Sequence, residues 1–231
     1  MATLQERDWE FLNIMAHFGG KTFRRVLAET CFLGLKNPLQ QSANRIYKLK
    51  KSMKLFKYIE TGLSKNKYVI ALSKSGTELL NESGYNIKAS VTISPQTVNH
   101  TILEQISFYW LLKMGKKVER TIIARWSKEH NHTPDLMYSL DSGEMIYVEV
   151  ELSKKSPQRY LDTFMKMRKD GVKSVLYVFE NEKKMKQIGR IIPVWDKLFY
   201  ITKDELIKCG QDGKLKARKQ KEVLQEIDNE S

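Results

Sequence analysis

The chain has 231 residues, 41% of them hydrophobic, with 40 Lys and Arg against 27 Asp and Glu, a formal net charge of +13. That is room for two modest domains. Its apolar runs fall short of a membrane span, no N-terminal stretch resembles a signal peptide, and Cys31 and Cys209 lack metal-type spacing. A reduced, cytoplasmic protein without membrane insertion is therefore expected, with a polyanionic partner favoured by the charge.

In chain order, Leu4 to His17 carries Leu4, Trp9, Leu12 and Ala16 near helical spacing, and Gly19-Gly20 ends it. Thr22 to Thr30 reads as a second helix with Thr22 as its N-cap. Pro38 suits the first turn of a third helix reaching about Met53, with Leu39, Ala43, Ile46, Leu49 and Met53 as its buried stripe. The opposite side shows Gln41, Asn44, Arg45, Lys48 and Lys51, side chains that bond phosphates and base edges. Phe56 to Ile59 and Tyr68 to Leu72 read as a hairpin whose tip carries Lys65 and Lys67. Ser73 caps a further helix. Between Lys36 and Lys67 nine Lys or Arg face one acid, Glu60. Three helices, a two-stranded wing and a closing helix predict a winged helix-turn-helix over residues 1–85, with the third helix in the major groove of double-stranded DNA. Residues 86–97 read as a linker.

From 98 to 205 the order is helix, three strands, helix, strand, helix, strand, a mixed α/β pattern. His100 to Met114 is an apolar helix containing Glu104. Val118 to Ile123 is a strand. Two further strands flank the turn Asp141-Ser142-Gly143. Asp135 opens the first of them. On the second, strict alternation puts Tyr147, Glu149, Glu151 and Ser153 on one face. Carboxylates two residues apart on a strand lie roughly 6–7 Å apart. With Asp135 converging from the neighbour, three acids repel unless a cation sits among them, and a hard divalent metal with oxygen ligands is the usual answer. The plainer alternative is a wet polar face. Ser156-Pro157 starts the next helix as N-cap and first helical residue, and Gly171 ends it. Val172 to Phe179 is a central strand. Residues 206–231 read as a charged C-terminal tail, a solvated helix or disordered.

This order, with Pro134-Asp135 followed by Glu149-Val150-Glu151, is similar to the PD-(D/E)xK fold of restriction endonucleases and resolvases. Joined to an N-terminal winged helix, and with the His100-Thr101…Glu104 helix and the Val-Glu-Val-Glu-Leu-Ser-Lys-Lys run, it resembles the MobC-class relaxase and replication-relaxation group of mobile plasmids. The resemblance implies metal-dependent nicking of one strand at an origin of transfer by hydrolysis, without a covalent tyrosine. It also implies accessory mobilisation proteins and a coupling protein as partners. Phosphodiester hydrolysis by Mg²⁺ or Mn²⁺ assigns Asp135 and Glu149 as metal ligands. Glu151 orients or deprotonates the water, Lys155 or Arg159 neutralises the phosphate, and Glu104 joins from its helix. Thr101 to Glu104 also fits a capping box, in which Glu104 only closes a helix end. The pattern departs from the family at Glu151, where Lys is expected. Two other functions stay open: a non-catalytic DNA-binding accessory protein with a degenerate nuclease fold, and another nuclease of this fold such as a transposase subunit.

Overall fold

The computed structural model of the protein describes residues 3–63, 66–85, 87, 93–120, 130–140 and 142–229. It is a mixed α/β chain in two compact units, Met1–Ile106 and Ser107–Ser231.

The first unit contains α1 (Glu6–His17), β1 (Lys21–Thr22), α2 (Arg24–Glu29), α3 (Pro38–Met53), β2 (Phe56–Glu60), β3 (Tyr68–Leu72) and α4 (Lys74–Glu82). The first turns of α5 (Val98–Lys113) also belong to it. The strands form an antiparallel sheet in the order β1-β3-β2. Thr22 does not cap α2, whose N-cap is Phe23. It lies in β1 instead, where its hydroxyl donates to Gln105 Oε1 at 2.7 Å. Gln105 Nε2 in turn donates to the Lys21 carbonyl at 3.1 Å, so one buried amide of α5 holds β1 in place. Ser73 caps α4 as expected, its Oγ accepting from Gly76 N at 3.1 Å. A Cβ on Gly76 would meet the Leu55 carbonyl at 2.3 Å, so only glycine lets this helix lie against the start of β2.

Helix α3 buries Ser42, Ile46 and Leu49, the i, i+4, i+7 face. Leu39 does not join the expected stripe: it is 50% exposed and lines a groove. Arg45 lies on the flank of the helix and turns inward. Its Nε donates to Asp8 Oδ1 at 2.9 Å and its Nη2 to the Thr3 carbonyl at 2.7 Å, while Asp8 is wholly buried.

The second unit is built on a six-stranded sheet in the order β4-β5-β6-β7-β8-β9. The strands are β4 (Lys117–Arg120), β5 (Leu136–Ser139), β6 (Met145–Glu151), β7 (Ser174–Phe179), β8 (Leu198–Thr202) and β9 (Arg218–Lys219). Pairing is antiparallel from β4 to β6, parallel through β6-β7-β8, and antiparallel again to β9. The helices between them are α6 (Pro157–Lys169), α7 (Glu182–Gly189), α8 (Lys203–Asp212) and α9 (Gln220–Asn229). Every residue of β7 is buried, as a strand central to a sheet covered on both faces requires. The β5–β6 turn is the one read from sequence, with Gly143 at φ +80° donating its N–H to the Leu140 carbonyl at 2.9 Å. Asp141 and Thr121 to Ile123 lie outside the described residues.

Met137, Tyr147, Tyr177, Phe179 and Tyr200 line one face of this sheet. They are covered by Tyr160, Phe164 and Met167 of α6, Met185 and Ile188 of α7, and Val223 and Ile227 of α9. Residues 206–229 are thus not a solvated or disordered tail. They supply the end of α8, the sixth strand and a core helix. Arg218 fastens them: its guanidinium meets Glu182 at 2.6 Å, Glu226 at 3.1 Å and Glu205 at 3.2 Å. The apolar residues Val223, Leu224 and Ile227 are too sparse among charges to stand out as a helical stripe. Among the described residues no helix is long and apolar enough to cross a membrane.

The Asp8–Arg45 pair gives a direct test of its structural role. Arg45→Ala leaves a buried carboxylate without its cation and is expected to lower unfolding free energy by about 3–5 kcal/mol. Lys48→Ala, on the exposed side of the same helix, should change it by roughly 0.5 kcal/mol or less. Urea unfolding of both variants checks this, and equal effects would contradict it.

Candidate catalytic site

The acidic residues lie where β5 and β6 meet. Leu136 pairs with Val148, so Asp135 sits one residue beyond this pair, beside Glu149 and Val150. Its Oδ2 accepts the Val150 N–H at 2.8 Å, extending the ladder with a side chain. Glu149 stands opposite Tyr177, and Glu151 opposite Phe179, on the parallel neighbour β7. Both carboxylates therefore point to the covered face of the sheet. Their side chains are 13% and 3% exposed, so a wet polar strand face does not explain them.

Each has a partner. Glu149 Oε1 lies 2.7 Å from His132 Nε2, a hydrogen bond carrying one proton between the two groups. Burial pushes Glu149 up to about 7, the His132 bond opposes this, the nearby Asp135 charge adds to it, and Lys155 lowers it. His132 is held by α6. Asp170, the C-cap of that helix, accepts from His132 N at 2.8 Å, Asn131 N at 2.8 Å and Asn131 Nδ2 at 2.6 Å. Burial alone would raise Asp170, but these bonds outweigh it and hold it below the usual carboxylate range.

Glu151 meets Lys155. Strand β6 ends at Glu151, and the loop before the Ser156 N-cap folds Lys155 back so that its Nζ lies 2.5 Å from Glu151 Oε2. The other oxygen accepts from Ser153 N at 3.3 Å. With both oxygens engaged and the side chain buried, Glu151 holds Lys155 in place. Lys155 is 32% exposed and is the member of the pair at the surface. Lys184 of α7 donates to the Leu152 carbonyl at 2.6 Å, adding a second ammonium near this strand end. Arg159 is exposed on the first turn of α6. Tyr160 is a core residue, 1% exposed, its hydroxyl 3.5 Å from the Ser153 carbonyl and 3.4 Å from the Lys155 N–H. Burial first, then the Glu151 charge, push its hydroxyl far above the normal tyrosine range, which is unfavourable for a nucleophile.

Glu104 is buried on α5, in the first unit. On α3, Gln41, Asn44, Lys48 and Lys51 are exposed as expected, with Asn44 Oδ1 accepting from Gln40 Nε2 at 2.8 Å. Arg45 is the correction: an arginine forked onto a buried aspartate is not available to a phosphate. Lys67 is exposed, 3.8 Å from Glu60. Lys65 lies outside the described residues.

Asp135 and Glu149 have the donor type, partial burial and mutual repulsion that suit a hard divalent cation. Among the described residues, no three His, Cys, Asp or Glu side chains form a ready-made metal cluster. A two-carboxylate site completed by water and a backbone carbonyl is an ordinary arrangement for Mg²⁺. His132, Asn131 and Asp170 were missed in the sequence. The available signal was His130 and His132, two of only four histidines, placed just before Pro134-Asp135. No family model matches the chain, and no curated protein matches it significantly.

A group raised from 4.5 to about 7 binds its proton in the folded state while the unfolded chain has already lost it. Metal-free stability is therefore expected to fall as pH rises from about 4.5 to 7, by a contribution on the order of 3 kcal/mol. Glu149→Gln should lack this contribution. Unfolding across that range in EDTA, taken as the difference between the two proteins, checks it. A difference that does not vary with pH would contradict it.

Proposed function

We propose that the protein is a metal-dependent DNA endonuclease that nicks one strand by hydrolysis, as a relaxase does at an origin of transfer. In this reading the first unit is a winged helix that docks α3 on duplex DNA. The second is a PD-(D/E)xK-type nuclease domain, its core running α5-β4-β5-β6-α6-β7. The observation that carries the proposal is the juxtaposition of two partly buried carboxylates, Asp135 and Glu149, with a lysine folded back to the same strand end.

Asp135 and Glu149 would hold Mg²⁺ or Mn²⁺, which when bound supplies a water acidic enough to attack at neutral pH and a screen for the phosphate. The chain's own residues do the rest. The buried strand end excludes bulk water from around Glu149. His132, hydrogen-bonded to Glu149, fixes the direction of that carboxylate. Asp170 keeps that imidazole aimed. Lys155, held by Glu151, presents its ammonium to the scissile phosphate, taking up the role of the lysine absent from position 151. Arg159 lies four residues along the same surface.

One observation favours a second reading. Asp135 and Glu149 each already hold a protein partner, as they would in a DNA-binding accessory protein that has lost catalysis.

The test is supercoiled plasmid carrying the origin, incubated with Mg²⁺, Mn²⁺ or EDTA and scored for open circles. Nicking is expected only with metal. Glu151→Gln and Lys155→Met should reduce it by roughly 10²- to 10⁴-fold, while origin binding stays within a few-fold and Tyr160→Phe remains active. Loss of nicking in Tyr160→Phe with activity kept in Glu151→Gln would indicate a covalent tyrosine mechanism. Binding without nicking in any metal would establish the accessory reading.

A further inference from the structure

The face of the β2–β3 hairpin that carries Phe56 and Leu72 into the core continues outward to Tyr58 and Tyr68. There the two rings are 40% and 43% exposed, with centroids 5.9 Å apart and planes tilted by 56°. They form one wall of a groove of about 810 Å³. The N-terminal turns of α2 and α3 form the other walls, and Ile70 lies among its lining residues. Leu39, exposed against the expectation for its helix, belongs to the same lining.

The charge of this groove has one sign. Arg24, Arg25 and Lys67 line it, and no described lining residue is acidic. Two acids pair with these cations: Glu29 bonds Arg25 at 2.6 Å, and Glu60, cross-strand from Tyr68 on the same hairpin face, lies 3.8 Å from Lys67. Each tyrosine also has an ammonium over its ring, Lys50 at 4.5 Å from the Tyr58 centroid and Lys67 at 5.3 Å from that of Tyr68. Flat π surfaces interleaved with cations are the pattern that tracks a nucleic-acid strand, bases on the rings and phosphates on the charges. A duplex keeps its bases stacked on one another, so only an unpaired stretch offers faces to Tyr58 and Tyr68.

We infer that this groove binds an unpaired nucleic-acid strand, with Tyr58 and Tyr68 stacking on bases and Arg24, Arg25 and Lys67 contacting phosphates. The inference rests on the nucleic-acid reading of the first unit and adds a second site to it, distinct from the exposed face of α3.

The experiment is fluorescence anisotropy of the full chain with two labelled probes, a blunt duplex and an oligothymidylate of roughly a dozen nucleotides, within the usual site sizes. Tyr58→Leu and Tyr68→Leu are each expected to weaken oligothymidylate binding roughly 5- to 100-fold. Tyr→Phe at either position should keep it within about threefold, and all four variants should bind the duplex as wild type does. Arg24→Gln should lower the log–log salt slope for the single strand by about 0.7. Lys48→Ala with Lys51→Ala should do the reverse, weakening duplex binding and sparing the single strand. The leucine variants binding oligothymidylate as wild type does would overturn the assignment. So would a wild type that binds duplex alone, with the α3 reading left standing. A wild type that binds neither probe at low salt would end both.

Discussion

The second unit is organised around the burial of carboxylates on the covered face of a parallel strand pair. Glu149 and Glu151 face Tyr177 and Phe179 across the β6–β7 ladder and lie beneath α6, α7 and α9. Removing an ionised carboxylate from water without a partner costs several kcal/mol, so each is tied to a compensating group. For Glu151 it is the Lys155 ammonium. For Glu149 it is the His132 imidazole, and burial raises the carboxylate itself towards neutrality. The loops around the strand end follow from these needs: residues 131–132 are bound to the C-cap of α6, and residues 152–155 turn back before Ser156. Helix α6 is thus fixed at both ends to the loops that carry His132 and Lys155.

The same arrangement explains how a chain with Glu at position 151 keeps a cation at this strand end. A lysine on the strand itself would point to the covered face with its stem among aromatic side chains. A lysine four residues later, outside the strand, reaches the same place from the solvent side and takes a glutamate as its anchor. The pair is stable as a unit. Replacing either member alone leaves a buried or misdirected charge, and the loop that orders α6 loses its internal tether.

Much of this was legible in the sequence, for identifiable reasons. Helix caps are local chemistry: Ser73 and Ser156 each accept a backbone N–H at the helix start. Strand alternation placed Tyr147, Glu149 and Glu151 on one face, because period-2 geometry leaves no alternative. What alternation does not disclose is whether that face is wet or covered, since covering helices come from residues far along the chain. Helix α9 escaped for a related reason, its three apolar residues being diluted by charge. Arg45 looked like its neighbours Lys48 and Lys51 because its partner, Asp8, lies 37 residues away. His132 was hidden by its loop position, where no periodicity marks a side chain as directed inward. Long-range pairing of single polar residues leaves no signature in spacing.

The central claim is that Asp135 and Glu149 form a divalent-metal site. Anomalous diffraction from crystals grown with Mn²⁺ tests it most directly. The account predicts a single strong manganese peak within bonding distance of both carboxylates, with the His132 ring displaced from Glu149 or joined to the ion. A peak elsewhere in the chain would contradict it. So would none at a concentration that supports nicking.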